Sequence, residues 1–273
     1  SKVIATTTVK SKGKNWNQIS ATLTAQDHAE NAVLKVEPLK KGRVAVDMIS
    51  LFPQATFKGH PNGLRKDLAQ TIADLHPKFM RFPGGCLSHG DGLDNIYEWK
   101  ESIGPLQNRV PDRNIWNYHQ TKGLGFYEFF QFCEDMGCEP LPVLAAGVPC
   151  QNSASDACGF GGQQGGIPME DMPRYVQDIL DLIEWANGDP ATNKWAKMRA
   201  DAGHPASFNL HYIGIGNEDL ISTVFEERYM MICKAIKEKH PEIKVCGTVG
   251  PFHKGSSDYQ EGWEFAKNHQ DII

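Results

Sequence analysis

The sequence YIGIGNED at residues 212–219 consists of a short apolar strand that is followed at once by an amide and two carboxylates. Three further strands of similar length are predicted at Phe79–Phe82, Leu141–Ala146 and Lys244–Cys246. Helical patterns separate these strands, and strands that alternate with helices are typical of a parallel sheet. We therefore predict an α/β protein in which the polar residues 216–219 lie at a strand end.

Four amphipathic helices are predicted around these strands, because apolar residues recur there at helical spacing. Residues that favour helix termini, such as Asn62, Gly137 and Pro241, stand close to the predicted ends. The predicted helices are Leu64–Leu75, Gly125–Met136, Asp171–Gly188 and Phe225–Lys239.

Two architectures fit this alternation, an open doubly wound sheet and a (β/α)8 TIM barrel. A dinucleotide-binding sheet would need a third glycine after Gly214 and Gly216, where this chain has Asn217, Glu218 and Asp219. The barrel is therefore favoured, and the strands found amount to an incomplete one.

Residues 1–52 show a different pattern, with strand-like alternation and no helical period. Apolar and polar residues alternate over Ile19–Leu23 and again over Val44–Met48. A complete β-sandwich contains about seven strands, and this segment offers about four. We predict part of a β-sandwich in residues 1–52 and the partial barrel in residues 53–273.

The composition of the chain excludes several classes of partner. The 273 residues are 40% hydrophobic and 22% charged, which is ordinary for a globular protein. The net charge of -5, without a long run of Lys or Arg, argues against nucleic acid as a partner. No apolar stretch approaches the roughly 20 residues of a membrane-spanning helix, so no membrane partner is expected. A neutral substrate fits these features better.

The seven cysteines are scattered, which argues against a disulfide scaffold and against a four-cysteine metal site. Cys150 and Cys158 flank a polar loop and would be joined only if the protein is exported, since spacing alone does not define a pairing. The motifs HExxH, GxSxG and GxxxxGK[ST] are all missing from the sequence.

Glu218 is the first candidate for catalysis, because barrel enzymes place their catalytic residues at the carboxyl ends of strands. A glutamate directly after an apolar strand would be partly desolvated, which favours its protonated form and suits a general acid. The alternative is a glutamate that caps the following helix. Asn217 favours the catalytic interpretation, because its amide can bind a sugar hydroxyl beside the acid.

The segment RFPGGC at residues 81–86 is the second candidate. Gly84 and Gly85 allow a ligand to approach the backbone, and Arg81 can hold a carboxylate with a fork of donors. The alternative is a tight turn with a surface arginine.

Two other features have weaker claims to a function. Trp116 lies in the long loop after Arg81 and is a candidate for stacking on a sugar ring, although such residues more often belong to the core. The loop at residues 146–166 is rich in Gly, Gln and Ser, and we expect it to be flexible and without a chemical role.

These junctions resemble glycoside hydrolase family 51, the α-L-arabinofuranosidases, and the resemblance extends from about Leu51 to the end of the chain. The motifs that carry it are RFPGG at 81–85, Trp99, IGP at 103–105, Gly125, EF at 128–129 and GNE at 216–218.

The resemblance implies a retaining glycosidase that acts on arabinofuranose-containing carbohydrate and needs no metal or organic cofactor. It implies Glu218 as the general acid/base, Asn217 as a contact to the sugar, and Arg81 as a support for the nucleophile. Many relatives have asparagine after the paired glycines, where this chain has Cys86.

In the family the nucleophilic glutamate normally lies on the seventh strand, and this sequence stops as the sixth strand begins. We expect an internal fragment that holds strands two to five, preceded by part of an inserted carbohydrate-binding sandwich. Without the nucleophile such a fragment should hydrolyse little by itself. Its open sheet edges would allow a homo-oligomer. Ser1–Lys10 lacks a signal-peptide pattern, and an extracellular or periplasmic location is expected for the longer protein.

Two alternative functions remain open from the sequence. A related barrel glycosidase with a different sugar specificity would share a similar GNE strand end. A non-catalytic carbohydrate-binding protein would be consistent with the partial sandwich and with the absent nucleophile.

Overall fold

A computed structural model of the chain describes residues 2–153, 163 and 165–272. Its contacts divide the chain into two compact units, Ser1–Val46 and Asp47–Ile273. The domain boundary expected between residues 52 and 53 stays a prediction.

The described residues of the first unit form no helix and no strand, and the partial β-sandwich expected there stays a prediction. Apolar and polar residues alternate over Ile19–Leu23, but these residues form no strand in the structure, and Ile19 is 42% exposed. A strand is stable only when neighbouring strands pair with its backbone and cover one face. The alternation therefore indicated strand propensity, but the structure provides no ladder to support a β-sandwich in residues 2–46.

The second unit contains the predicted strands and helices, together with the hairpin and three helices that were not predicted. The strands are β1 Phe79–Phe82, β2 Asp112–Arg113, β3 His119–Gln120, β4 Glu139–Leu144, β5 Tyr212–Ile215 and β6 Lys244–Cys246. The helices are α1 Lys66–Ala73, α2 Cys86–His89, α3 Phe126–Met136, α4 Met172–Asn187, α5 Lys194–Asp201, α6 Thr223–Lys239 and α7 Ser257–Asn268. None of the helices in the described ranges is long and apolar enough to cross a membrane.

The main sheet has four strands in the order β1-β4-β5-β6, and all of its pairs are parallel. Phe82 pairs with Pro142, and Leu144 pairs with Ile215. This topology confirms the α/β class and the parallel sheet. Because the strands are parallel and sequential helices connect them, the loops that follow β1, β4 and β5 emerge at one edge.

An aromatic core fixes β1 against the helices. The ring of Phe82 packs edge-on against Phe126 and Phe130, with centroids 5.5 Å and 5.3 Å apart. Phe130 packs edge-on against Trp185 of α4 at 5.3 Å, and all four side chains are almost fully buried. Large aromatic contacts of this kind hold the carboxyl end of β1 in place relative to β4 and β5.

Helix α1 presents its predicted apolar face to solvent. Leu68 is 56% exposed, Ile72 43% and Leu75 77%, whereas Ala69 is the buried residue of this helix. The opposite side of the helix packs against β1, because Met80 contacts the apolar cluster that contains Ala69, and β1 is an edge strand of the sheet.

Candidate active site

Glu218 meets side chains from two other strand-end loops. Its carboxylate oxygen Oε2 accepts hydrogen bonds from Gln151 Nε2 at 3.0 Å and from Asn217 Nδ2 at 3.4 Å. The thiol of Cys86 lies 3.9 Å from the same oxygen. Three donors therefore fix one oxygen, while Oε1 has no hydrogen-bond donor among the residues that the structure describes.

Arg81 and Gly85 determine the position of Asn217. The guanidinium of Arg81 donates to Asn217 Oδ1, which leaves the amide nitrogen facing Glu218. Gly85 lies so close to this amide that a Cβ would overlap all three of its terminal atoms. The structure thus brings the two predicted motifs together. Arg81 was expected to hold a carboxylate. Among the described residues no carboxylate is bonded to Arg81, and its guanidinium bonds to the amide of Asn217 instead.

Glu218 is exposed, which corrects the expectation that the strand end would partly desolvate it. Its neighbours come from the loops after β1 and β4 and from the turn after β5, and they leave the residue exposed. Asn217, Gly85 and Cys86 beside it are half-buried. The helix-capping alternative is also wrong, because Ser222 is the N-cap of α6 and its hydroxyl accepts from Phe225 N at 3.2 Å.

A buried carboxylate lies directly below Glu218. Asp219 is fully buried, and its Oδ2 accepts from the backbone N–H of Asn217 at 2.8 Å. Its Oδ1 accepts from the side chain of Gln163 and lies 3.6 Å from Nε2 of His89. The backbone N–H of Asp219 donates to the hydroxyl of Thr248 at 3.3 Å. Burial raises the pKa of the Asp219 carboxyl, and the neighbouring His89 opposes this shift.

Sequence reasoning missed the contribution of the loop after β4. Gln151 contacts Glu218 and Gln163 contacts Asp219, although both belong to the loop that was expected to have no chemical role. The available signal was their position, because amide side chains that follow a buried strand stand at the same sheet edge as Glu218.

Trp116 is not brought into contact with Glu218 in the described part of the chain. It lies on the hairpin formed by β2 and β3, and 55% of it is exposed. This hairpin is tied to the loop after α2, because Asn95 donates to Asp112 Oδ2 at 3.1 Å and Arg113 lies 3.2 Å from Asp91. The stacking role of Trp116 therefore stays a prediction.

The predicted pairing of Cys150 with Cys158 involves a residue outside the described ranges. Cys150 itself is fully buried and has a free thiol. Burial raises its pKa to about 12, and the nearby thiol of Cys86 adds to this shift. Burial likewise raises the pKa of Cys233 to about 12.

We expect Cys150 and Cys233 to resist alkylation in the native protein, whereas Cys86 and Cys246 should react. A rise from the usual value of about 8.5 to about 12 lowers the thiolate fraction by roughly three orders of magnitude, and burial slows the reaction further. Peptide mapping after timed treatment with iodoacetamide at pH 7.5 measures each site. The same treatment in urea is the control, and modification of Cys150 as fast as Cys246 would contradict the structure.

The fold and the site together define a parallel α/β protein of the kind found in barrel glycosidases, with a carboxylic acid and an amide at the end of one strand. The family model of the α-L-arabinofuranosidase 1 domain matches residues 71–271. The chain belongs to the α-L-arabinofuranosidases of glycoside hydrolase family 51.

Curated relatives agree with this assignment. The chain is 40% identical over 262 residues to an extracellular exo-α-L-arabinofuranosidase of Streptomyces chartreusis. The match covers 91% of this chain and 30% of the relative. It is 38% identical over 245 residues to α-L-arabinofuranosidase 1 of Arabidopsis thaliana, and this match covers 89% of this chain and 33% of the relative. The chain thus spans about a third of the length of these relatives.

Solved structures show the same relationship. An arabinose-bound family 51 α-L-arabinofuranosidase superposes with a TM-score of 0.63 at 33% identity, over 74% of this chain and 30% of that one. The arabinose complex of the Thermotoga maritima enzyme superposes with a TM-score of 0.56 at 23% identity, over 77% and 38%, and supports the fold alone.

Proposed function

We propose that the protein carrying this chain releases terminal α-L-arabinofuranosyl residues from arabinose-containing polysaccharides and oligosaccharides, with retention of configuration. The observation that carries the proposal is the position of Glu218, whose Oε2 is fixed by donors from three loops, while Oε1 meets no donor in the part of the chain that the structure describes. The relatives named as α-L-arabinofuranosidases support the choice of sugar.

In the proposed reaction Glu218 acts twice. Its Oε1 first protonates the glycosidic oxygen of the departing group, and the resulting carboxylate later removes a proton from the attacking water. Asn217 holds a sugar hydroxyl, and Arg81 fixes the amide of Asn217. Gly84 keeps the backbone beside the sugar free of a side chain, and Gly85 makes room for the amide of Asn217.

Retention requires a second carboxylate about 5–5.5 Å from Glu218, which attacks the anomeric carbon and forms a glycosyl-enzyme. Asp219 is unsuited to this role, because it is buried and both of its oxygens accept hydrogen bonds from within the protein. We propose that the nucleophile belongs to the part of the family fold that the chain does not span, on the seventh strand of a (β/α)8 barrel. Strands β1, β4, β5 and β6 then correspond to barrel strands two to five.

The proposal is tested with the full-length protein and with residues 1–273 alone, on nitrophenyl α-L-arabinofuranoside and nitrophenyl β-D-xyloside. We expect the full-length protein to hydrolyse the arabinofuranoside with a kcat/KM at least about 100-fold above that for the xyloside. The six-membered ring of the xyloside places its hydroxyls differently from the five-membered arabinofuranose ring, so polar groups of the site would be left unpaired. The isolated chain should show little or no turnover.

Each other outcome favours a different interpretation. A preference for the xyloside would indicate a related glycosidase of other specificity. Binding of arabinose without turnover by the full-length protein would indicate a non-catalytic carbohydrate-binding protein. Turnover by residues 1–273 would place the nucleophile within this chain and contradict its assignment to the seventh strand.

A further inference from the structure

A buried ionisable pair that the proposed chemistry does not use lies beneath the turn that carries Glu218. The side chains of His89, in α2, and Asp219 are both 0% exposed, and Nε2 of His89 lies 3.6 Å from Oδ1 of Asp219. His89 follows β1 and Asp219 follows β5, so the pair connects two strand ends. An isolated buried carboxylate is costly, and such groups occur where a partner or a function compensates.

Hydrogen-bond accounting assigns a donor to Nε2 of His89. Nδ1 of this ring lies 2.7 Å from the carbonyl oxygen of Val148, which can only accept, so Nδ1 carries a hydrogen. Nε2 is buried and has no hydrogen-bond partner within 2–153, 163 and 165–272, and Oδ1 of Asp219 lies 3.6 Å from it. A hydrogen on Nε2 makes this contact attractive, whereas a bare lone pair facing a carboxylate would be repelled.

Asp219 in turn constrains the backbone of the active-site turn. Its Oδ2 accepts the N–H of Asn217, and the α-carbon of Gly216 is so close that a Cβ there would overlap the same oxygen. Glu218 has a φ of 51°, a left-handed conformation that non-glycine residues seldom adopt. Such a conformation costs free energy and persists only where the surroundings impose it. The bond from Asn217 to Asp219 supplies that constraint next to Glu218.

We propose that His89 and Asp219 form a positioning pair, which holds the backbone of Asn217 and Glu218 so that the acid/base faces the glycosidic oxygen. This inference rests on the proposed function, because it assigns the pair a role in the same reaction. Neither residue touches the sugar. The pair acts through the turn, with His89 anchored by Val148 and Asp219 anchored by Gln163.

The first test is Asp219→Asn in the full-length protein, compared on two substrates. One is an arabinofuranosyl oligosaccharide, whose departing oxygen needs a proton, and the other is a dinitrophenyl arabinofuranoside, which leaves without one. We expect kcat/KM to fall roughly 10–100-fold on the oligosaccharide, since a displacement near 1 Å has an effect of that size. On the activated substrate we expect a fall of less than about threefold. Affinity for arabinose, measured separately, should stay close to wild type. The thermal midpoint should fall, because Asp219→Asn turns an amide nitrogen toward donors that a carboxylate oxygen had accepted.

Two further variants make the result specific. His89→Gln retains an amide donor toward Asp219 and should lose less activity on the oligosaccharide than His89→Leu, which retains none. Asp201→Asn is the matched control, because Asp201 is exposed on α5 and bonds only to Lys197. An equal fall on both substrates, or no fall on either, would overturn the proposal.

A spectroscopic test avoids the dependence on activity. In the full-length protein labelled with ¹⁵N-histidine, we expect His89 to carry a hydrogen on both ring nitrogens, and Asp219→Asn to change its Nε2 resonance. A bare Nε2 in the unaltered chain would overturn the pairing. If Glu218→Gln loses the same kcat/KM on both substrates, the proposed function fails. If Glu218→Gln loses more on the oligosaccharide than on the activated substrate but Asp219→Asn does not, only the positioning role fails.

Discussion

Glu218→Gln is expected to lower kcat/KM on an arabinofuranosyl oligosaccharide by about 10²–10⁴-fold, which is the usual contribution of a general acid. Glutamine preserves the shape of the side chain and can still accept from Gln151 and Asn217, but it has no proton to give. On a dinitrophenyl arabinofuranoside the same variant should retain most of its kcat/KM, because that leaving group departs without protonation. Steady-state kinetics of the full-length protein on both substrates measures the difference.

Added azide provides a second readout for this variant. Azide attacks a glycosyl-enzyme without a general base, so it should restore turnover of the activated substrate by Glu218→Gln and yield an arabinofuranosyl azide. Glu238→Gln is the matched control, because Glu238 is exposed at the end of α6 and lies 3.4 Å from Lys239. Equal losses on both substrates, without rescue by azide, would remove Glu218 from the acid/base role.

Gly85→Ala is expected to have the second largest effect, because a methyl group there would overlap the side-chain amide of Asn217. Asn217 must move, and its bond to Arg81 and its approach to Glu218 are lost together. We expect kcat/KM on the oligosaccharide to fall about 100-fold or more. The thermal midpoint should fall modestly, since overpacking of one methyl group costs about 1–3 kcal/mol.

Gly42→Ala is the control for Gly85→Ala, because a Cβ at Gly42 meets no atom within 4 Å. It should leave both activity and the thermal midpoint unchanged. Wild-type activity in Gly85→Ala would show that the Asn217 amide is not held where the structure places it.

Much of the second unit could be predicted from sequence, because its signals are local. Apolar runs gave the positions of β1, β4, β5 and β6, and helical spacing gave the long helices. Helix α3 begins after Gly125 and ends at Gly137, which is left-handed with φ 66° and ψ 37°, as a glycine at a helix end favours. Helices α5 and α7 were not predicted, because few of their residues are apolar. The buried residues are Ala196 and Arg199 in α5 and Gly262 and Phe265 in α7.

The site was predicted in part. The positions of Arg81, Gly85, Asn217 and Glu218 at strand ends follow from the parallel sheet, and the structure brings these residues together. The family resemblance supplied their roles, since spacing alone left a helix cap as an alternative for Glu218.

The remaining features depend on tertiary contacts that a sequence does not display. The pairing of His89 with Asp219 joins residues 130 positions apart only after β1 and β5 enter one sheet. Strand-like alternation in residues 2–46 did not yield strands, because a ladder needs partners that alternation does not guarantee. Exposure of Glu218 depends on how many neighbours surround the strand end, and a local pattern carries no such information.

We expect arabinofuranose to bind at the edge where β1, β4 and β5 end, with its anomeric oxygen against Glu218. A crystal structure of the full-length protein with arabinose measures this directly. The O1 atom of the sugar should lie about 2.6–3.2 Å from a carboxylate oxygen of Glu218, with Asn217 bonded to a ring hydroxyl. A sugar bound at another surface, or a Glu218 side chain turned away from the bound sugar into solvent, would contradict it.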